Sequence, residues 1–216
     1  DASQMTAEQR QDYQVAVEAA EIAREIQAKA DRDSVEYGAI IYRDSNGIIT
    51  HAIVTRGNAT SVPNMSTAGI PGWGSVLGYV HSHPGNLFNS AYPEMRLHPT
   101  PHGDWDTFNA IQNLMVQDLV GNRGYSVSAA WAKANGLVQF IYGASGISGS
   151  GSYGLYRYDN GDGARETAPD AGQVDKHELP AGLGIRCDTA NGAPGRLRTV
   201  GDDGHPRPHH RVDESR

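Results

Sequence analysis

The chain has one cysteine, Cys187. That excludes an internal disulfide framework and any cysteine-rich zinc knuckle. Cations are outnumbered, 18 Lys and Arg against 25 Asp and Glu, for a formal net charge of -7. Nucleic acid is therefore a disfavoured partner, because phosphate binding needs a concentrated basic surface. No apolar run is long enough to span a bilayer. A His-Glu-x-x-His helix is missing as well, and beyond Asp159 large apolar residues become scarce. That last stretch cannot build a core of its own. The first residue is Asp1 rather than methionine, from which we expect a processed or excised fragment.

What remains is the composition of a globular chain with many loops: 38% hydrophobic residues and 26 glycines over 216 residues. It is long enough for one core plus an appendage. We place the division at 143/144. Residues 1–143 form the expected domain, opening on an amphipathic helix, and residues 144–216 a Gly-rich linker, an edge strand and an extended tail. Thr6-Ala7-Glu8-Gln9 has a capping-box pattern, and Val15, Ala19, Ile22 and Ile26 then recur at helical spacing until 31–34 breaks the period. Residues 35–43 and 48–56 read as two strands joined by Asp44-Ser45-Asn46-Gly47, whose Asn-Gly pair favours a tight hairpin. His51 reads as an outward or edge residue of the second strand. A polar loop follows over 57–74, where Trp73 is a candidate anchor.

An apolar strand then leads from Ser75 through Tyr79 and Val80 into His81-Ser82-His83, and Pro84-Gly85 stops it. Residues two apart on a strand share a face, so His81 and His83 point one way, Val80 and Ser82 the other. About twenty residues on, Gly103-Asp104-Trp105-Asp106 opens a helix whose apolar stripe is Trp105, Phe108, Ile111, Met115 and Leu119, with Gly121-Asn122 as its expected cap. Two imidazoles at a strand end and a carboxylate from a following helix make a three-ligand set that leaves one zinc position open. Asp104 is the preferred acid, because Trp105 and Phe108 then begin the buried face; Asp106 is the alternative. Residues 125–133 and 137–142 read as a further hairpin across Ala134-Asn135-Gly136.

Glu36-Tyr37-Gly38-Ala39-Ile40-Ile41-Tyr42, His81-Ser82-His83-Pro84 and Asp104-Trp105-Asp106-Thr107 together resemble the signature of JAMM zinc metalloproteases, the MPN-plus or JAB-domain family, in its bacterial JAB-like branch. The match runs over roughly 36–119, with 127–142 expected to complete the sheet. The resemblance implies an α+β or α/β mixed fold, an MPN (JAB)-like β-sheet flanked by helices. It implies Zn2+ held by His81, His83 and Asp104, with Glu36 as general base. It implies an amide hydrolase, a peptidase or isopeptidase. Its substrate would be a protein or peptide, such as a ubiquitin-like modifier, or another amide-linked polymer. The branch further implies a cytoplasmic or secreted bacterial effector.

Two features depart from the family pattern. Pro101 stands where relatives have a serine that supports the oxyanion, and Thr100, one place earlier, is the nearest hydroxyl, with His102 a second polar candidate. The gap from His83 to Asp104 is also long, with an insertion at 87–93 of the kind that gates substrates. Other histidines lack context. His98 and His102 are kept off one helix face by Pro99 and Pro101, and His205, His209 and His210 have no acid or cysteine ligand at a recognised spacing. A cupin needs a glutamate soon after its histidine pair, and a (β/α)8 amidohydrolase needs a longer chain. The alternative to an enzyme is a catalytically silent MPN-like binding or scaffold module.

Overall fold

The computed structural model describes residues 5–33, 35–84, 99–100, 103–144, 153–162, 185–188 and 196–199. The capping box at the N-terminus closes reciprocally. Thr6 N–H donates to Gln9 Oε1 (2.8 Å) and Gln9 N–H to Thr6 Oγ1 (3.1 Å), satisfying donors that the first turn of α1 (Ala7–Asp33) leaves unpaired. The apolar stripe of α1, Val15, Ala19, Ile22 and Ile26, is buried against Tyr37, Ala39, Ile41, Val80, Phe140 and Tyr142 of the sheet. Its outer side carries exposed ion pairs, Arg24 with Glu21 and Lys29 with Glu25.

Eight strands among the described residues form one mixed sheet: β1 (Tyr37–Arg43), β2 (Ile49–His51), β3 (Thr55–Arg56), β4 (Val76–His83), β5 (Val138–Ala144), β6 (Tyr153–Asp159), β7 (Ile185–Asp188) and β8 (Arg196–Thr199). Their order is β2-β1-β4-β5-β6-β7-β8, with β3 also on β1. Only β4 and β5 run parallel. The opposite face is covered by α2 (Asp104–Arg123), with α3 (Val127–Ala134) after it. Trp105, Phe108, Ile111 and Met115 of α2 pack with Ile40, Tyr79, Ile141 and Tyr158, as the helical stripe predicts. The result is a mixed sheet flanked by helices on both faces.

Four local expectations are corrected. The strand expected over 48–56 is two pieces. β2 pairs with Ile41, Tyr42 and Arg43, and β3 pairs with Tyr37 and Gly38 one residue out of step, so an extra residue at 52–54 bulges the strand. Asp44 stabilises the turn before it, its Oδ1 accepting from Asn46 and Ile48 N–H at 2.9 and 2.8 Å, while Gly47 takes φ 83. Residues 127–134 are helical, not a strand. Ser126 caps them by accepting from Ala129 N–H (3.2 Å), and β5 has no edge left for a hairpin partner, because β4 pairs with one side of it and β6 with the other. α2 runs past Gly121-Asn122 to Arg123 and ends on left-handed Gly124 (φ 71). Finally, β6 is no edge, for β5 flanks it on one side and β7 on the other.

Candidate metal centre

β4 lies inside the sheet, hydrogen-bonded to β1 and β5, so its alternation is fixed on both sides. Val80 enters the apolar layer under α1, and His81 and His83 face α2. Gly38 pairs with His81, and continuing that register sets Glu36 opposite His83, on the same face. The intervening Ser82 has its own task. Its Oγ accepts the Tyr37 N–H (2.9 Å), which locks the start of β1 against the end of β4. Glu36 is fixed on its other side by backbone bonds, its N–H to Asn58 O (2.8 Å) and its carbonyl from Gly57 N–H (2.7 Å).

The third group arrives with α2. Asp104 is the first residue of the helix, where the aligned peptide dipoles favour a carboxylate. Thr100 anchors it: its N–H and Oγ1 donate to Asp104 Oδ2 (2.7 and 3.1 Å), and its Oγ1 accepts the Asp104 N–H (3.2 Å). Gly103 is required beside this clasp, because a Cβ there would stand 2.7 Å from Thr100 Oγ1. The hydroxyl proposed from sequence as an oxyanion donor is therefore engaged with the Asp104 carboxylate. Asp106, the alternative acid, is exposed and is not in the ligand cluster.

His81 Nε2 and His83 Nε2 are 3.0 Å apart, His81 Nε2 is 3.2 Å from Asp104 Oδ1, and His83 Nε2 is 3.3 Å from Asp104 Oδ2. The two histidines approach different oxygens of Asp104, and one ligand atom from each of the three residues lies within 4.8 Å of the other two, a span that one ion with bonds of about 2.0–2.2 Å can bridge. Two imidazole nitrogens facing each other so closely also need a proton or a cation between them. All three residues are buried, and the group can hold a metal ion.

The electrostatics point the same way. Burial opposes the charge of Asp104, but the charges of His81 and His83 and their hydrogen bonds outweigh it, holding the carboxyl well below the usual carboxylate range. Glu36 is only 2% exposed. Burial pushes its carboxyl up to about 8, with His83 pulling it down and Asp104 adding to the rise. The structure thus places a buried acid with a raised pKa beside His83 and Asp104.

The structure thus brings Glu36, Thr100, His81, His83 and Asp104 together. Sequence reasoning missed the part of Ser82, whose only signal was a hydroxyl at a strand position facing an apolar layer. His51 lies on the edge strand β2 and outside the cluster, as expected, but its pairing under α1 was not foreseen, its half-buried Nδ1 standing 2.6 Å from Glu18 Oε2. Glu18 lies on the face of α1 turned to β2, and pattern alone does not reveal the pair. Pro101, His98, His102, the 87–93 insertion and His205, His209 and His210 lie outside the described residues. Compared with protein-family models, curated proteins and solved structures, the chain matches none. The family resemblance rests on the quoted residues.

Proposed function

We propose that the chain is a zinc-dependent amide hydrolase of the JAMM (MPN-plus) type, acting on a protein or peptide substrate at a peptide or isopeptide bond. The observation that carries this reading is the buried cluster of His81, His83 and Asp104 with a protonatable Glu36 opposite His83. His81 and His83 present ring nitrogens from an interior strand, and Asp104 presents a carboxylate whose Oδ2 is held by Thr100. A divalent ion held there supplies Lewis acidity, polarising a carbonyl and lowering the pKa of water toward neutrality. Glu36, when ionised, takes a proton from the water that attacks the carbonyl carbon. It returns that proton to the nitrogen of the leaving amine as the C–N bond breaks.

The silent-module reading draws on one feature, the engagement of Thr100 Oγ1 with Asp104 where relatives offer a serine to the oxyanion. Hydrolysis of isopeptide and peptidoglycan-type amide substrates, with and without a chelator, separates the two. We expect chelator-sensitive cleavage that zinc restores, and a loss of turnover of roughly 10²–10⁴ in Glu36→Gln with zinc content unchanged. A zinc-loaded protein that cleaves none of these substrates would favour the module, and wild-type turnover in Glu36→Gln removes Glu36 from the mechanism.

A further inference from the structure

Tyr79 precedes His81 by two residues on the same face of β4 and is 1% exposed. Its ring runs nearly parallel to the His81 imidazole, at 21° with centroids 6.0 Å apart. Its hydroxyl lies 3.0 Å from Gln139 Oε1 and 3.4 Å from the carbonyl oxygen of Asp104. One side chain therefore touches a histidine ligand, the backbone of the carboxylate ligand, and the neighbouring strand β5. Gln139 is wholly buried, and its Nε2 has no hydrogen-bond partner among the described residues. An amide N–H left unpaired in an apolar layer costs stability, and leucine, close in volume, would avoid that cost. The amide's one satisfied atom is the oxygen that faces Tyr79.

We propose that Tyr79, held in place by Gln139, is a positioning residue of the metal centre, fixing the ring of His81 and the first turn of α2 so that the three ligand atoms converge. This rests on the reading of His81, His83 and Asp104 as metal ligands. Groups that orient ligands from behind typically change metal affinity 10–100-fold when removed. Tyr79→Phe keeps the ring and its packing, losing only the hydroxyl that reaches Asp104 and Gln139.

Zinc affinity is measured by competition with a chromogenic chelator, and cobalt(II) in the same place is followed through its visible ligand-field bands. Wild-type protein that binds neither ion overturns the metal centre and this inference together. Where wild type binds, Tyr79→Phe is expected to weaken zinc by roughly tenfold and to shift the cobalt bands; wild-type affinity with an unchanged spectrum overturns the positioning role alone. Gln139→Leu separates positioning from packing. It should unfold at the same temperature as wild type or higher when metal-free, and still bind zinc more weakly. Should Tyr79→Phe fail to fold, Gln139→Leu decides, and wild-type zinc affinity in that variant overturns the inference.

Discussion

The two faces of the sheet use the same strands for different ends. Under α1, the strands contribute Tyr37, Ala39, Ile41, Val80, Phe140 and Tyr142 to an apolar layer. Under α2 the layer begins equally apolar, with Ile40, Tyr79 and Ile141, and then gives way at the end of β4 to His81, His83, Glu36 and Asp104, all buried. A single residue step along β4 moves from one regime to the other. The lesson is that one face supplies the stability that lets the other hold ionisable groups away from water, a cost the polar face cannot offset alone.

That contrast can be broken most severely from the polar side. His83→Ala should abolish stoichiometric zinc while leaving a folded domain, as elemental analysis and circular dichroism would show together; full zinc content in the variant contradicts the ligand set. From the apolar side, Ile22→Ala opens a cavity beneath α1 and should cost about 2–5 kcal/mol in denaturant unfolding. The folded fraction should still bind one zinc, because the sheet stands between the two sites.

A pH titration of the metal-free protein sharpens the comparison. The folded-state pKa of Glu36 is raised to about 8. Its contribution is therefore fully present below the unfolded value and is lost as pH rises toward 8. Asp104, shifted the opposite way, loses its contribution only below the ordinary carboxylate range and is silent in this window. We expect metal-free stability to fall by on the order of 4 kcal/mol between about pH 4.5 and pH 8. Glu36→Gln or added zinc should flatten that slope, and a slope that survives the substitution assigns it to another group. The smallest effect is expected at the far end of α1, where Thr6→Ala should cost about 1 kcal/mol in thermal unfolding and leave the metal centre untouched.

Much of this architecture was legible in the residues. Strand alternation put His81 and His83 on one face, and the helical stripe through Trp105 and Phe108 singled out Asp104 over Asp106. The capping box at Thr6 and the turn at Asn46-Gly47 carry their own chemistry. What escaped was non-local. Val127, Ala129 and Trp131 alternate like a strand, but Val127 and Trp131 are 60% and 38% exposed, and the segment is a short helix held by Ala130 and Ala134. Ser126, the N-cap, is a local sign of the helix, but what rules out a strand is that β4 and β6 already pair with both sides of β5. Thr100 is legible as a hydroxyl near the helix start, but whether it serves a substrate or a neighbouring carboxylate depends on where the backbone turns.

The parallel pairing of β4 with β5 also dictates an order of events as the chain leaves the ribosome. His81, His83 and Asp104 emerge well before Val138, yet until β5 docks the histidine strand is an open edge with one row of unmet backbone groups. Convergence of the three side chains therefore awaits the arrival of β5. A nascent chain arrested just after α2 holds all three residues, but no settled place to put them.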